Sequence, residues 1–453
     1  MESLHFCSDQ ARVVNVDGRS VLFHVPTTSL FDLDPVGREV LSFCQRQKQV
    51  TTNDIRARFD GEFNPTEVTE TLKELLDLGV VGDGSFRPGR TNGIRIREYP
   101  LSTIVLNVNT GCNLSCSYCY KEDLETPAHG QRMSFDTARR SIELLLKEGH
   151  SRNRVNVVFF GGEPLSNLAL IKQVVAYAER RGRETGKQID FSLTTNATLL
   201  NEDTVDYLND HRFGISISMD GPAAVHDRHR LSVGGKGTYA VVARKARMLL
   251  ERYTSRPVGA RVTITSGCID VVGIHRHLIA ELGFHEVGFA PVTTHEVATF
   301  NLDSAELKDL FAGMKTLGTE YLEAALRGEN TGFSNMHQLM TDLHQGTRKS
   351  LPCGAGVGLL AVDKAGELNL CHRFTGSELP TYGDVVKGID KDSLGAFLES
   401  ATDRSHQACA TCTIRNLCAG GCYHESYAKF TDPLSPTYHY CDLMRDWVEF
   451  GIG

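Results

Sequence analysis

Three cysteines within eight residues, Cys112-Asn113-Leu114-Ser115-Cys116-Ser117-Tyr118-Cys119, follow directly on an apolar run from Ser102 to Val108. The spacing is C-x3-C-x2-C, and the count is the constraint. A disulfide framework uses cysteines in pairs, and a structural zinc site closes with four ligands. A cubane iron–sulfur cluster has four irons, so three thiolates from one loop leave the fourth iron open to an external ligand. The competing reading is a zinc knuckle, or a loop with scattered cysteines.

Composition sets the frame around that loop. At 453 residues the chain exceeds one ordinary core and predicts about two to four domains. A net charge of -8 argues against a generic nucleic-acid binder. Met1 to Arg12 lacks the basic start and apolar run of a signal peptide, and nowhere do about 18 apolar residues run together, so no membrane span is expected. These features predict a cytoplasmic protein, in which thiols stay reduced and thirteen cysteines read as metal or cluster ligands.

In chain order, Ser20 to Pro26 predicts a strand. Pro35 to Cys44, Thr51 to Phe59 and Pro65 to Leu78 predict helices, the last two with sound starts at Thr51 and Asn64-Pro65. Val80 to Gly84 reads as a short wing. This winged-helix pattern is shared by DNA-binding regulators. Pro88 to Pro100 lacks periodicity and predicts a linker. Six apolar runs then alternate with amphipathic stretches: Ser102–Val108, Val155–Phe160, Asp190–Thr194, Phe213–Met219, Ala260–Thr265 and Glu286–Pro291. Such alternation predicts parallel strands covered by helices, in a barrel or an open sheet. Asp303 to Gly346 looks helical, its apolar stripe more in keeping with core than with a cofactor site.

The second run ends in Phe159-Phe160-Gly161-Gly162-Glu163-Pro164. A tight turn alone explains two glycines and a proline. Together with the cysteine spacing, and with the aromatic Tyr118 before the third cysteine, it resembles the radical S-adenosylmethionine (SAM) enzymes, down to their GGEP motif. The resemblance implies a partial (β/α)6 barrel of TIM type with its site at the carboxyl ends of the strands. It implies that Cys112, Cys116 and Cys119 hold a [4Fe-4S] cluster, that SAM chelates the open iron, and that the radical formed from SAM takes a hydrogen atom from the substrate. Gly161 and Gly162 are then expected to let the backbone approach SAM, with Glu163 or a neighbouring carbonyl accepting from its ammonium group. Ser218 and Arg230 are expected at its carboxylate, where a bidentate guanidinium is suited. Asn196, after the third strand, is a further expected contact, equally readable as a turn residue, as is Asp220.

The tail carries Cys353, Cys371, Cys409, Cys412, Cys418, Cys422 and Cys441, four of them spaced C-x2-C-x5-C-x3-C. Val357 to Cys371 predicts a hairpin around Asp363 to Glu367 that brings Cys353 toward Cys371. Thiolates alone do not choose the metal, so a pair of zinc ribbons is the alternative. The arrangement resembles the SPASM extension of radical SAM peptide maturases. That resemblance assigns Cys353, Cys371 and Cys422 to a first auxiliary [4Fe-4S] cluster and Cys409, Cys412, Cys418 and Cys441 to a second, three clusters in all. Related sulfatase maturases carry one more cysteine where this chain has Gly346-Thr347-Arg348, which leaves the first auxiliary cluster's fourth ligand open to a non-cysteine residue, to Cys268, or to a substrate thiolate.

Ahead of such a barrel, the winged-helix-like segment resembles the leader-peptide recognition element of ribosomal-peptide maturases, in which the peptide adds as a strand to a sheet edge. The expected organisation is recognition domain 1–90, barrel 100–300, helical bridge 301–350 and SPASM domain 351–453. Within the family, the three-part layout and Cys371-His372-Arg373-Phe374 are most similar to the maturases of quinohemoprotein amine dehydrogenases. The likeness implies thioether links from cysteine sulfur to a methylene carbon of Asp or Glu in a small partner polypeptide, with a flavodoxin or ferredoxin as reductase and no nucleic acid or membrane partner. The rivals are other sulfur-to-carbon or carbon–carbon peptide maturases, formylglycine formation on a sulfatase, and a metal-sensing regulator. No residue is identified as the general base.

Overall fold

The computed structural model describes residues 3–16, 18–47, 49–83, 100–120, 129–294, 299–402, 409–435 and 440–453, so most of the expected linker lies outside the described residues. The first segment has its own small core. Strands β1 (His5–Phe6), β2 (Ala11–Val16), β3 (Arg19–His24) and β4 (Ser29–Asp32) precede three helices, Pro35–Arg46, Thr52–Phe59 and Pro65–Asp77, and a last short strand β5 (Val81–Gly82). The helices begin and end within two residues of expectation because their caps are local. Asp34 accepts from the Gly37 amide, Thr51 and Asp54 form a reciprocal capping box, and Asn64 accepts from Thr66 ahead of Pro65. The wing is a correction. Val80 and Val81 are fully buried, and Val81–Gly82 pairs with His5–Phe6 to close the core. Strands β2 and β4 are additions: with β3 they make an antiparallel meander in which β4 is an edge, largely exposed and therefore without a buried period to betray it.

The larger body is a parallel half-barrel. Strands β6 (Thr103–Asn109), β7 (Arg154–Gly161), β8 (Gln188–Thr195), β9 (Gly214–Ser218), β10 (Val258–Ile264) and β11 (Glu286–Pro291) lie side by side in chain order, all parallel. Alternate residues serve alternate faces. On β7, Val155, Val157 and Phe159 are buried against the helices, while Asn156, Val158 and Phe160 face the concave side half-buried. Phe159, Phe191 and Phe213 stack with centroids 5.5 to 6.3 Å apart. Each such ring stabilises the sheet by about 2 to 3 kcal/mol through burial.

The tail completes this sheet. After helices Ser304–Leu326 and Ser334–His344, strand β12 (Leu359–Val362) pairs parallel with β6, and β13 (Leu368–Asn369) returns antiparallel, giving eight strands where the sequence predicts six. The hairpin is the expected one, its turn fixed by Asp363, whose Oδ1 accepts from the amides of Ala365, Gly366 and Glu367. Further on, β14 (Gly383–Asp384) and β15 (Gly388–Ile389) form a short pair. The tail also holds the first segment. Arg415 donates to the Asp9 carbonyl at 2.6 Å and to Gln10, and the Asn416 amide donates to the carbonyls of Val25 and Pro26. No described helix is long and apolar enough to cross a membrane.

One backbone approach fixes the mouth of the half-barrel. At Gly162 an added Cβ would stand 2.1 Å from the Gly111 carbonyl oxygen, and at Gly161, where φ is +142°, 2.2 Å from that of Asn109. Neither neighbour is a side chain that can swing away. Gly162→Ala is therefore expected to displace the turn leading into Cys112 and to destabilise the protein by about 2 kcal/mol. Denaturant unfolding of the variant beside the parent checks this.

Candidate active site

The three cysteines of the first loop sit just past β6. Backbone bonds lace this loop to a segment after β9: the Ser115 amide donates to Leu231, the Ser117 amide to His229, and Leu114 bridges to Ser232. The Ser117 hydroxyl meets His229 Nδ1 at 2.6 Å. Sulfur is met by N–H groups, since Cys112 Sγ accepts from the Leu114 amide at 3.4 Å and from Asn196 Nδ2 at 3.7 Å. Asn196 also binds Asn113 and caps its own turn through Thr198, which makes it a brace of the cysteine loop as well as a turn residue. Burial pushes the Cys112 thiol up to about 12 and the Cys116 thiol up to about 11, with Arg230 pulling the latter down. The charges of Cys116 and Cys119 both act on Cys112, so the loop brings the three sulfurs into one neighbourhood.

Arg230 reaches Cys116 as part of a buried pair. Its Nε and Nη2 donate to the two oxygens of Asp220 at 2.9 and 3.1 Å, and Asp220 accepts further from the Tyr118 hydroxyl at 2.5 Å and the Thr263 amide at 3.0 Å. Burial works against the charge of Arg230, but Asp220 outweighs it and holds the guanidinium well above its usual range. Burial also raises the Tyr118 phenol. The carboxylate expected beside Arg230 is thus supplied within the chain by Asp220, which leaves Nη1 outside that pair. Ser218 ends β9 on the concave face, half-buried.

The Glu163 carboxylate is 1% exposed and turned into the protein, where Oε1 accepts from the Leu165 amide and the Thr195 hydroxyl and Oε2 from the Asn196 amide. Burial lifts it to about 6 despite these three donors. It ties the end of β7 to the end of β8, with Oε2 accepting from the Asn196 amide. Gly161 and Gly162 let β7 close on Asn109 and Gly111, a close approach of backbone to backbone. Beside them, Asn107, Asn109, Gly161, Lys364 and Thr375 line a cleft at the seam between β6, β7 and the tail hairpin.

The tail thiols act on one another's charge in two groups. Burial pushes Cys371 up to about 11, reinforced by the charges of Cys422 and Cys353. Burial does the same for Cys418, reinforced by Cys409, Cys441 and Cys412. Cys268 stands on the turn after β10, its sulfur accepting from Arg228 at 3.6 Å, a contact with the barrel rather than with the tail thiols. Among the described residues no three His, Cys, Asp or Glu side chains close on a single-ion site. A cubane, which takes one thiolate at each of four iron corners, needs its ligands spread more widely than one ion does. The soft sulfurs, most of them half-buried and at Cys112 met by N–H groups, fit such a group.

The first loop and the tail meet at side chains that sequence reasoning did not assign. Arg373, two residues after Cys371, lies 5.1 Å over the ring of Tyr120, the neighbour of Cys119. Tyr120 packs 5.2 Å from His424, which lies two residues after Cys422 and meets Arg373 Nη1 at 3.4 Å. His372 stacks 4.2 Å from Phe160 on the concave face. The only local signal was the position of Arg373 beside a cysteine, since the partners are remote in sequence. His337 bonds the Tyr321 hydroxyl at 3.0 Å, a structural contact.

The sequence model of the Radical SAM superfamily matches residues 106–267. The cysteine-type anaerobic sulfatase-maturating enzyme of Clostridium perfringens is 24% identical over 372 residues, covering 78% of this chain and 96% of that protein. The serine-type enzyme of Klebsiella aerogenes is 24% identical over 383 residues, 78% and 91% of the two chains. Among solved structures, native anSMEcpe with bound AdoMet shares the fold at a TM-score of 0.66 and 21% identity, covering 78% of this chain and 97% of that one. Streptococcus suis SuiB bound to its precursor peptide SuiA does so at a TM-score of 0.53 and 16% identity, covering 95% and 99%. The matched stretch runs from β6 to just beyond β10 and takes in the cysteine loop, the Glu163 turn and the Asp220–Arg230 pair, and over it the chain is similar to the Radical SAM superfamily.

Proposed function

We propose that this chain modifies a small protein or peptide, joining a cysteine sulfur to a methylene carbon of Asp or Glu. The observation that carries the reading is the contact of Arg373 with Tyr120, which sets one tail thiol group beside the cysteine loop of the barrel. Forming a thioether breaks one C–H and one S–H bond and releases two protons and two electrons. When bound, SAM and its cluster supply the radical that removes one hydrogen atom, and the remaining electron needs an acceptor close by.

The chain's residues divide the work. Cys112, Cys116 and Cys119 hold the barrel cluster, with the Leu114 and Asn196 N–H groups directed at Cys112. Ser218 and the unshared edge of Arg230 take the SAM carboxylate, while Asp220 and Tyr118 fix Arg230 in place. Cys353, Cys371 and Cys422 hold the nearer auxiliary cluster, and Cys409, Cys412, Cys418 and Cys441 the farther one. A flavodoxin or ferredoxin is the reductase class suited to the reaction. The peptide's leader adds as a strand along β4, where Leu30 and Phe31 are 41% and 39% exposed and the backbone is unpaired on its outer side.

Formylglycine formation is the second reading, favoured by the sulfatase-maturating relatives. Those relatives cover 78% of this chain, whereas the peptide-bound SuiB structure covers 95%, in keeping with a peptide-recognition segment here. A small Cys-, Asp- and Glu-containing polypeptide and a sulfatase peptide, each supplied as substrate, decide between them: a loss of two hydrogens with a sulfur–carbon link supports the thioether, and a formylglycine product replaces it.

Anaerobically reconstituted protein is expected to carry about twelve irons for three cubanes, and a value near four removes the tail assignment. Replacing Cys112, Cys116 and Cys119 together by Ala is expected to abolish reductive cleavage of SAM, read as 5'-deoxyadenosine. Phe31→Pro, which distorts the β4 edge, is expected to weaken binding of the substrate's leader by about tenfold or more, measured by fluorescence anisotropy.

A further inference from the structure

The concave face of the half-barrel carries a charge that none of the residues above uses. On β10, Val258, Ala260, Val262 and Ile264 are buried outward against the helices, which turns Arg261 inward. In register it stands between Ser218 on β9 and Gly288 on β11. Gly288 makes room for it, since Arg261 Nη1 lies 2.4 Å from where a Cβ at 288 would be. The guanidinium therefore lies across a glycine, a cradle that any other residue would fill.

Within a central strand this side chain is nonetheless exposed to solvent, so it stands in an open hollow rather than in packed core. Among the described residues it has no ion pair. Glu286, the acidic group whose field reaches it, has its Oε1 over Gly259 instead. The other charge acting on it is the cation of Arg373, from the tail. A guanidinium without an acidic partner, lying within the field of a second one in a protein of net charge -8, makes a local positive field against the overall sign. An anion at Arg261 relieves that repulsion and meets a planar fork of donors matched to a carboxylate.

We infer that Arg261, seated over Gly288 and in register with Ser218, is the subsite that grips a carboxylate of the substrate polypeptide on the concave face. The inference rests on the thioether reading in one respect: the carboxylate is taken to be that of the Asp or Glu whose methylene is joined to sulfur. Holding this group by a bidentate pair fixes the neighbouring methylene at one distance from the cysteine loop, and position decides which C–H reacts. Arg261 is in this sense a positioning residue.

The test needs no knowledge of the natural peptide. Arg261 in the reconstituted full-length protein is titrated with phenylglyoxal, and modification at that residue is followed by peptide mass spectrometry. N-acetylglutamate is expected to slow modification of Arg261 at least fivefold, while N-acetylglutamine and sodium chloride at matched ionic strength leave it unchanged. In equilibrium dialysis Arg261→Met is expected to lose N-acetylglutamate binding and Arg261→Lys to retain part of it. Equal protection by all three additives, no protection by any, or undiminished binding in Arg261→Met overturns the subsite. Protection in a protein that modifies no peptide keeps the subsite and removes the maturase reading. Peptide modification without protection does the reverse.

Discussion

The carboxylate of Asp220 joins parts of the chain that are far apart in sequence. It accepts from Tyr118 in the cysteine loop, from Nε and Nη2 on one edge of Arg230 and from the backbone of Thr263, with all of these groups buried or nearly so. A buried ion pair has a high desolvation cost, which is offset only when the remaining lone pairs are met as well. Here four donors meet them. The cysteine loop is then held by side chains at Tyr118 and by backbone at Ser115 and Ser117, so its shape depends on the barrel rather than on its own eight residues. Breaking such a pair from one side typically costs about 3 to 5 kcal/mol, more than any surface bridge in the molecule contributes.

Around that pair, the mouth of the half-barrel is set by short-range exclusion. Gly161 and Gly162 let β7 come within contact of the turn after β6, and Glu163 then reaches across to β8. Strand β12 adds the tail to the same sheet beside β6, so the strand that leads into Cys112 is hydrogen-bonded on its other side to the hairpin that leads into Cys371. Two thiols separated by more than two hundred residues thereby follow strands of one sheet, β6 and β13, with only β12 between them.

What was legible in the sequence follows from the range of the interactions. The six barrel strands and their helices were legible because β-branched runs, alternation and caps are local signals. So was the tail hairpin, through Asp363. The cysteine sets were legible by count and spacing. Strand β4 escaped because an exposed edge has no buried face to impose a period, and the place of β12 escaped because pairing partners 256 residues apart leave no local trace. At Glu163 the bonds to Thr195 and Asn196 were not legible, since a motif gives identity and not the way a carboxylate turns. Arg261 was passed over because its significance lies in what faces it, Gly288 on one side and Ser218 on the other.

The loop between Cys412 and Cys418 grips the first segment chiefly by its backbone: the carbonyls of Asp9, Val25 and Pro26 accept from Arg415 and Asn416, and Gln10 adds a side chain, while Phe23 and Val25 pack into the core of the larger body. A main-chain carbonyl is present whatever residue bears it. The hydrogen-bonded part of this joint is therefore indifferent to the sequence of the first segment, and what that segment must keep for it is the apolar pair Phe23 and Val25. Such a joint leaves the exposed residues of β4 free to change while the machinery behind them stays in place.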